Sequence, residues 1–521
     1  MSIDFSRFAN FIEAVAALRG GAHETRVGEW YERLAWSFDE LAMLEAAVPV
    51  AEPLCGAAQA TPTHPLLGRS SRTEAPGAGA LAQRVRSGET RAVDIAQQAL
   101  DAARAWRHLN AFIALDEDDV IRQAEALDAK VRERLDPGPL AGVPVVIKDL
   151  MPVRGYRMSA GTLAREPIMA GSDAAVVARL RSAGALIFGL SNLHELAFGV
   201  TSANPHFGTV VNPHFPGRVP GGSSGGSAAI VAAGIAPLAI GTDTGGSVRI
   251  PAACCGVVGF KPGYGVVDKT GVYPLAWSLD HVGPLAGSVA DAALMFETLA
   301  GFNDGVAVAL PDVTPSFRLL RGYFAEGVEP VVGARLESVA GALRAAGAAV
   351  DEIDVPEFAL APGAQFVTLS AEATQANWEL LRTGGARLGA DVRLRLEMGQ
   401  FFLAMDYVKA QRVRREVRDA CLRAMGSADV LLTPTLPCVP PAIGHATLMV
   451  EGRTLPAVAM LTRFTSPFNL TGLPALTLPC GFDAEGLPIS LQLIGRPGED
   501  ARLLSVGRWV EKLLDYRLDG W

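Results

Sequence analysis

Between Gly221 and Pro262 the chain reads GGSSGGSAAIVAAGIAPLAIGTDTGGSVRIPAACCGVVGFKP, and no other stretch limits its folding as tightly. Two glycine clusters, Gly221–Ser227 and Gly241–Ser247, are joined by a small-residue apolar segment able to form a buried helix and a short strand. Glycine accepts positive φ and close backbone approach because it has no Cβ. A serine ending such a run can sit beside several inward-aimed N–H groups, the arrangement that holds a developing oxyanion. Composition alone reads as a flexible Gly/Ser loop. The flanks oppose that reading, because Ala228–Ile240 and Ile250–Phe260 carry no charged side chain and so belong to buried elements. A phosphate-binding loop needs Lys-Ser/Thr after its last glycine, and neither cluster supplies it. Gly222-Ser223-Ser224-Gly225-Gly226 satisfies the G-x-S-x-G elbow, a pattern that any cluster of this composition produces.

Along the rest of the chain, Phe5, Phe8, Ile12 and Val15, then Trp30, Leu34, Leu41 and Leu44, recur at helical spacing and predict two amphipathic helices within residues 1–48. A Pro/Ala/Gly-rich stretch, 49–79, follows as a linker or strap. Helices are expected over Leu81–Phe112 and Asp118–Leu135. Strands at 143–148, 186–190 and 236–240 then alternate with helices at 173–184 and 224–234. That order predicts an α/β fold, a large mixed, parallel-rich sheet covered by helices on both faces. Farther on, strands are expected at Phe317–Phe324 and Val430–Thr433, and helices at Pro330–Ala346 and Val392–Met425. With 521 residues, 49% of them hydrophobic, the chain can bury a large core, and length alone suggests two to four domains. A net charge of −9 disfavours nucleic acid as a partner. No leader-like basic and apolar run opens the chain and no stretch reaches about 18 apolar residues, so the expectation is a cytoplasmic protein without a membrane partner.

The Gly221–Pro262 run resembles, nearly end to end, the signature of the amidase signature hydrolases, which cut carboxamide bonds with a Ser-Ser-Lys triad. Upstream, Gly142-Val143-Pro144-Val145-Val146-Ile147-Lys148-Asp149 is similar to the strand that delivers the family's lysine. Asp173–Gly184, Ser191-Asn192, Asn204, Phe207-Gly208, Asn212-Pro213, Leu279–Pro284 and Pro467–Arg496 follow in the family's order. The resemblance covers about residues 80 to 515 and implies one large catalytic unit, 80–521, in place of several domains. It implies that Ser247 is the nucleophile, Ser223 the bridging serine behind a cis Gly222–Ser223 peptide, and Lys148 the base. The separations, 75 residues from Lys148 to Ser223 and 24 from Ser223 to Ser247, agree with it.

The chemistry is coherent without the family. A serine hydroxyl attacks only when a base takes its proton, and a lysine is a base only when neutral, so burial must depress its pKa. Asp149 must therefore point away from Lys148. A second hydroxyl relays the proton between Ser247 and Lys148 and returns it to the leaving nitrogen. The N–H groups of Thr244, Gly245, Gly246 and Ser247 are the candidate oxyanion donors. Asp243 and Arg249 are either a solvated loop pair or, with Ser224, a hydrogen-bonded layer that fixes the loop. Ser227 and Thr242 read as packing or capping residues.

The rival is a Ser-His-Asp hydrolase with Ser224 as nucleophile, since eight histidines are available. The strand it needs before the elbow is replaced by Asn212–Pro220, with three prolines and a glycine, and the adjacent Asp280 and His281 would face opposite ways in an extended segment. Six cysteines without a CxxC spacing read as buried free thiols, and no metal or organic cofactor is expected. Substrate-contact candidates are Ala197, Phe198, Phe401 and Tyr407, with Phe402 and Met405 beside them; the resemblance implies that the region of Phe401–Tyr407 roofs the pocket, and a core-facing helix stripe is the other reading of Phe401, Phe402 and Met405.

Family members that hydrolyse glutamine within a tRNA amidotransferase usually carry a tyrosine-rich segment before Lys-Ala-Gln. Here Met398–Gln411 is shorter and lacks the repeated tyrosines. The expectation is a partner-independent amidase acting on a small, largely apolar amide or carbamate; the alternative is the glutamine-hydrolysing component of the tRNA enzyme. Its partners are then a small-molecule amide and no nucleic acid, with a homo-oligomer as an option in which the N-terminal helices cover a second protomer or the core.

Overall fold

A computed structural model describes residues 77–302, 309–445, 447–450 and 453–515. The helices expected within 1–48 and nearly all of the 49–79 strap lie outside the described residues. Eleven strands build the main sheet: β1 (Phe112–Ala114), β2 (Pro144–Lys148), β3 (Leu186–Ser191), β4 (Leu238–Asp243), β5 (Val258–Lys261), β6 (His281–Ala286), β7 (Phe317–Leu320), β8 (Val350–Ile353), β9 (Val430–Pro434), β10 (Ala475–Phe482) and β11 (Pro488–Ile494). Their spatial order is β1-β3-β2-β4-β6-β5-β10-β11-β9-β7-β8. The sheet is mixed. Its parallel pairs form two blocks, β3-β2-β4 on one side and β9-β7-β8 on the other, and the strands between them run antiparallel.

Side-chain alternation assigns the two faces, because successive residues of a strand point to opposite sides. Val145, Ile147, Ile187, Leu238 and Ile240 join one buried cluster, which also holds Val177, Leu180, Phe296, Leu336, Leu343, Leu503 and Val506. Val146, Leu186, Phe188, Ala239 and Leu285 join the other, with Ile95, Leu100, Val120, Leu127 and Ala228–Ala233. The first cluster is roofed by α4 (Ala175–Ser182), α7 (Val289–Ala300), α8 (Pro330–Ala345) and α15 (Asp500–Leu514). The second is covered by α2 (Ala92–Ala105), α3 (Glu117–Arg132), α5 (Gly225–Ala232) and α6 (Arg249–Cys255). Preceding all of these is α1 (Ala78–Arg86). A further group, α9 (Ala361–Ala376), α10 (Trp378–Gly384), α11 (Ala390–Met398), α12 (Ala404–Met425), α13 (Ala457–Thr462) and α14 (Ser466–Leu470), fills the connections between β8 and β10. None of the described helices is long and apolar enough to cross a membrane.

Two expected helices are broken. Leu81–Phe112 splits at a turn closed by the Glu89 and Thr90 N–H groups on the Arg84 carbonyl. It ends at Asn110, whose left-handed backbone is held by its side-chain amide donating to the Phe207 and Thr209 carbonyls at 2.7 and 3.3 Å. Val392–Met425 splits into α11 and α12 because the chain restarts at Leu403, whose N–H donates to Asp406 at 2.9 Å in a capping arrangement.

Parallel pairing of β2 with β4 brings their C-terminal ends to one edge, Lys148 at the end of one strand and the Thr244–Ser247 loop at the end of the other. Open α/β sheets place their ligand sites at such an edge. Helix α5, apolar and buried all round, starts there with Ser223 and Ser224. Its N-terminus can lie against β4 because position 241 is glycine: a Cβ at Gly241 would stand 2.7 Å from Ser224 Oγ and 3.0 Å from Leu285 Cδ1. Gly241→Ala should therefore cost about 1–3 kcal/mol in urea unfolding, the usual penalty for overpacking. Adding Ser224→Ala should return part of that loss, a coupling visible in a double-mutant cycle.

Candidate active site

Lys148 is fully buried, with 0% exposure, on the last residue of β2. Its Nζ lies 2.8 Å from Ser223 Oγ and 2.8 Å from Thr242 Oγ1, two hydroxyls and no carboxylate. Burial pushes the ammonium pKa down to about 7, against the opposing pull of the Asp243 and Asp280 carboxylates. Asp149 turns away, accepting from the Ser159 N–H at 3.1 Å and from the Ser159 hydroxyl, and burial raises its own pKa to about 6. Thr242, read from sequence as a packing residue, is thus a direct partner of the base. The Gly222–Ser223 peptide is cis.

The Thr244–Ser247 loop can be followed one peptide group at a time. Its four carbonyls are all held: Thr244 by Gln365 Nε2 at 2.8 Å, Gly245 by Thr465 Oγ1 at 2.7 Å, Gly246 by the Ile250 N–H at 2.6 Å and Ser247 by the Ser224 N–H at 3.3 Å. The Gly246 N–H donates to Asp243 Oδ1 at 2.9 Å and the Val248 N–H to Asp243 Oδ2 at 3.2 Å. Gly246 therefore drops out of the four amides expected to meet an oxyanion, because a carboxylate already occupies it. The Gly245 and Ser247 N–H groups donate to no protein acceptor among the described residues. Gly246 has φ +132°, and a Cβ there would stand 2.2 Å from Thr465 Oγ1, so only glycine fits the turn. Ser247 is 6% exposed, and its hydroxyl is not hydrogen-bonded to Ser223.

Asp243 and Arg249 form a fully buried bidentate pair, Nε to Oδ2 and Nη2 to Oδ1 at 3.0 Å each. The guanidinium also donates to Gln492 Oε1 at 3.1 Å and Asn469 Oδ1 at 2.7 Å, and Asn469 Nδ2 donates back to Asp243 Oδ1 at 2.8 Å. Burial raises the Asp243 carboxyl, but the Arg249 guanidinium outweighs it and holds the group well below the usual carboxylate range. The solvated-pair alternative is excluded by the absence of exposure at either side chain. Ser224, the third residue of the expected layer, donates its hydroxyl to the Thr242 carbonyl at 3.3 Å.

That bond speaks against Ser224 as a nucleophile, since among the described residues no imidazole hydrogen-bonds to its hydroxyl. Asp280 accepts from Thr244 Oγ1 at 2.6 Å and from the Leu275 and Ala276 amides, while His281 turns Nδ1 to the Leu279 carbonyl at 2.6 Å. Of the substrate-contact candidates, Tyr407 spends its hydroxyl on Glu372 Oε1 at 2.8 Å, and Glu372 in turn holds Ser278 at 2.6 Å. Phe198 packs in the cluster with Leu150 and Leu193 beneath the Arg395 guanidinium, 5.7 Å from its ring centre, and Ala197 lies in the same cluster. Phe401 closes the short turn Gly399–Phe401, and Met405 is 70% exposed, facing solvent. No sequence signal marks Gln365 or Thr465, and Asn469 and Gln492 lie in the Pro467–Arg496 stretch without being singled out. All four reach the loop from 121 to 243 residues away, a distance that spacing cannot bridge. The five described cysteines, Cys254, Cys255, Cys421, Cys438 and Cys480, are free and buried.

A buried amine kept neutral for chemistry is a burden on the fold. Because the folded pKa of Lys148 is lowered from 10.5 to about 7, the unfolded chain binds more protons between those values and folding stability rises with pH across that window. Lys148→Met should be catalytically dead yet more stable than the parent, with a Tm gain that is largest below pH 7 and shrinks as pH approaches 10.

A family model described as Amidase matches residues 94–504. The A subunit of the glutamyl-tRNA(Gln) amidotransferase of Synechococcus sp. (strain RCC307) is 36% identical over 475 residues, covering 84% of this chain and 97% of its own. A solved structure described as an amidase superposes with a TM-score of 0.80 at 36% identity, covering 84% of this chain and 99% of its own. The A subunit of the Thermotoga maritima glutamyl-tRNA(Gln) amidotransferase does so with a TM-score of 0.68 at 31% identity, covering 82% and 93%. Relatives named as one component of a tRNA enzyme overturn the expectation of a small-molecule partner with no nucleic acid, which rested on net charge; an acidic average says nothing about one docking face. With its sheet, its glycine clusters and most of its length matched in this way, the chain belongs to the amidase signature family.

Proposed function

We propose that this chain hydrolyses a carboxamide through an acyl ester on Ser247, and that it does so as the glutamine-hydrolysing subunit of a tRNA-dependent amidotransferase. The observation that carries the chemistry is Lys148, fully buried, paired with no carboxylate, and 2.8 Å from Ser223 Oγ. Ser247 Oγ attacks the amide carbon while its proton passes through Ser223 to Lys148. The tetrahedral oxyanion accepts from the Gly245 and Ser247 N–H groups. As the C–N bond breaks, the proton returns through Ser223 to the departing nitrogen, giving ammonia and the ester. Water then attacks the ester carbon and gives a proton to Lys148 by the same relay. The C–O bond breaks and Ser247 recovers its proton. The catalytic unit is then 80–521, with 1–48 as an appendage joined by 49–79.

Placement within an amidotransferase is supported by the names of the relatives, which match this chain over most of both lengths. A second reading keeps the same chemistry on a small amide other than glutamine. It is favoured by the higher TM-score to the structure described as an amidase, 0.80 against 0.68.

Ser247→Ala should abolish turnover, and a fluorophosphonate should label Ser247 and no other serine. With Lys148 near pH 7, kcat/KM should fall about tenfold per unit as pH drops below that value, since the essential base is then protonated in the free enzyme. A flat profile across pH 5–8 would remove Lys148 as the base. Glutamine hydrolysis measured with and without candidate partner proteins and charged tRNA, beside a panel of aryl and alkyl amides, separates the two readings. Partner-stimulated glutaminase activity is the result expected, whereas efficient turnover of a simple amide with inertness toward glutamine selects the second.

A further inference from the structure

We infer that Gln365 is a positioning residue that aims the Gly245 N–H at the oxyanion. This inference rests on the acyl-Ser247 chemistry proposed above and not on the choice of amide. In a planar trans peptide the carbonyl and the following N–H point in opposite directions, so whatever fixes the Thr244 carbonyl also fixes the Gly245 N–H. That carbonyl is held by Gln365 Nε2 at 2.8 Å, from a helix 121 residues farther along the chain.

The other peptides of the loop do not need such help. The Gly245 carbonyl is held by Thr465, but the N–H of that peptide is already committed to Asp243. The peptide that presents the Ser247 N–H has its carbonyl on the Ile250 N–H, at the first turn of α6, so it is set locally. Between the Gly245 and Ser247 N–H groups, only that of Gly245 is carried on a peptide held by a remote side chain; ahead of it, the Asp243 carbonyl, on the peptide that presents the Thr244 N–H, is held by Asn469 Nδ2 at 2.8 Å.

Gln365 sits in the second turn of α9, 4% exposed, and lies directly over the loop: a Cβ placed on Gly245 would have Gln365 Nε2 as its nearest neighbour, at 3.7 Å. Its orientation is set by chemistry, because a flipped amide would turn its oxygen against the Thr244 carbonyl oxygen. The donor contact is kept even though Gln365 Oε1 is left buried without a partner among the described residues. Buried acceptors are seldom abandoned in this way, and where they are, the site commonly has a task beyond packing.

The test is Gln365→Met, which keeps the volume and removes the donor, read by kcat, KM and affinity for a trifluoromethyl ketone that forms a tetrahedral adduct on Ser247. Losing one oxyanion donor typically costs about a hundred- to a thousandfold in rate. A misaimed donor should therefore cost about ten- to a hundredfold in kcat, with KM changed less than about twofold and ketone affinity falling by the same factor as kcat. Thr368→Val, one turn along the same helix face, serves as the control, since its hydroxyl donates to the Ala364 carbonyl and accepts from Gln411 Nε2 at 3.0 Å, and neither bond involves the loop; it should move none of these values. Should the methionine variant fail to fold, Gln365→Ala carries the same expectation. Unchanged kcat, or a fall in kcat without weaker ketone binding, overturns the assignment while leaving the triad in place. Failure of the parent enzyme to form any adduct on Ser247 would overturn the triad reading and this inference together.

Discussion

One buried carboxylate organises the nucleophile loop. Asp243 accepts the Gly246 and Val248 amides, both arms of Arg249 and the Asn469 side chain, and through them joins the end of β4 to α6, α14 and β11. A lone charge at 0% exposure would cost several kcal/mol. Here the guanidinium is matched to it bidentately, and the donors left over go to Gln492 and Asn469, so neither member of the pair is left bare. The loop follows from this arrangement. Once the second and fourth N–H groups counted from Gly245 point at the carboxylate, the first and third, those of Gly245 and Ser247, are turned away from it.

Burial decides the protonation of Lys148. Asp243 and Asp280 both pull a proton onto the amine, while burial drives it off. Asp243 is paired with Arg249, and Asp280 is occupied by the Thr244 hydroxyl and two backbone amides. At Lys148 burial outweighs the pull of both carboxylates. The hydroxyls of Ser223 and Thr242 satisfy the amine's hydrogen bonds without restoring its charge.

Much of this is legible in the residues. The apolar runs at 143–148, 186–190 and 236–240 form β2, β3 and β4, and the charge-free segment after Ser224 forms a buried helix, because strands and helices covered on all sides have no choice but to be apolar throughout. Where periodicity runs a helix too far, at Leu81–Phe112 and Val392–Met425, the breaks come from capping bonds: the Arg84 carbonyl, the Asn110 side chain and the Asp406 carboxylate each end or restart a helix. Propensity continues through such points. Met405, read as a pocket contact from the resemblance or as part of a core-facing stripe from its spacing, is instead 70% exposed on the helix that restarts after Leu403.

By itself, then, the sequence determined the buried strands and the two glycine-rich turns, along with a serine and a lysine whose chemistry makes sense only together. Those are local properties, written in charge, side-chain size and the absence of a Cβ. Tertiary structure decided which amides are free and which partners hold the rest. Gly246, indistinguishable from Gly245 in the sequence, has its N–H taken by Asp243, and the Thr244 carbonyl is held by Gln365 from α9. The reason is that a hydrogen bond depends on direction and on a fraction of an ångström. Groups 121 to 243 residues apart in the chain acquire those values only when the sheet has closed and the helices between β8 and β10 have packed against its edge.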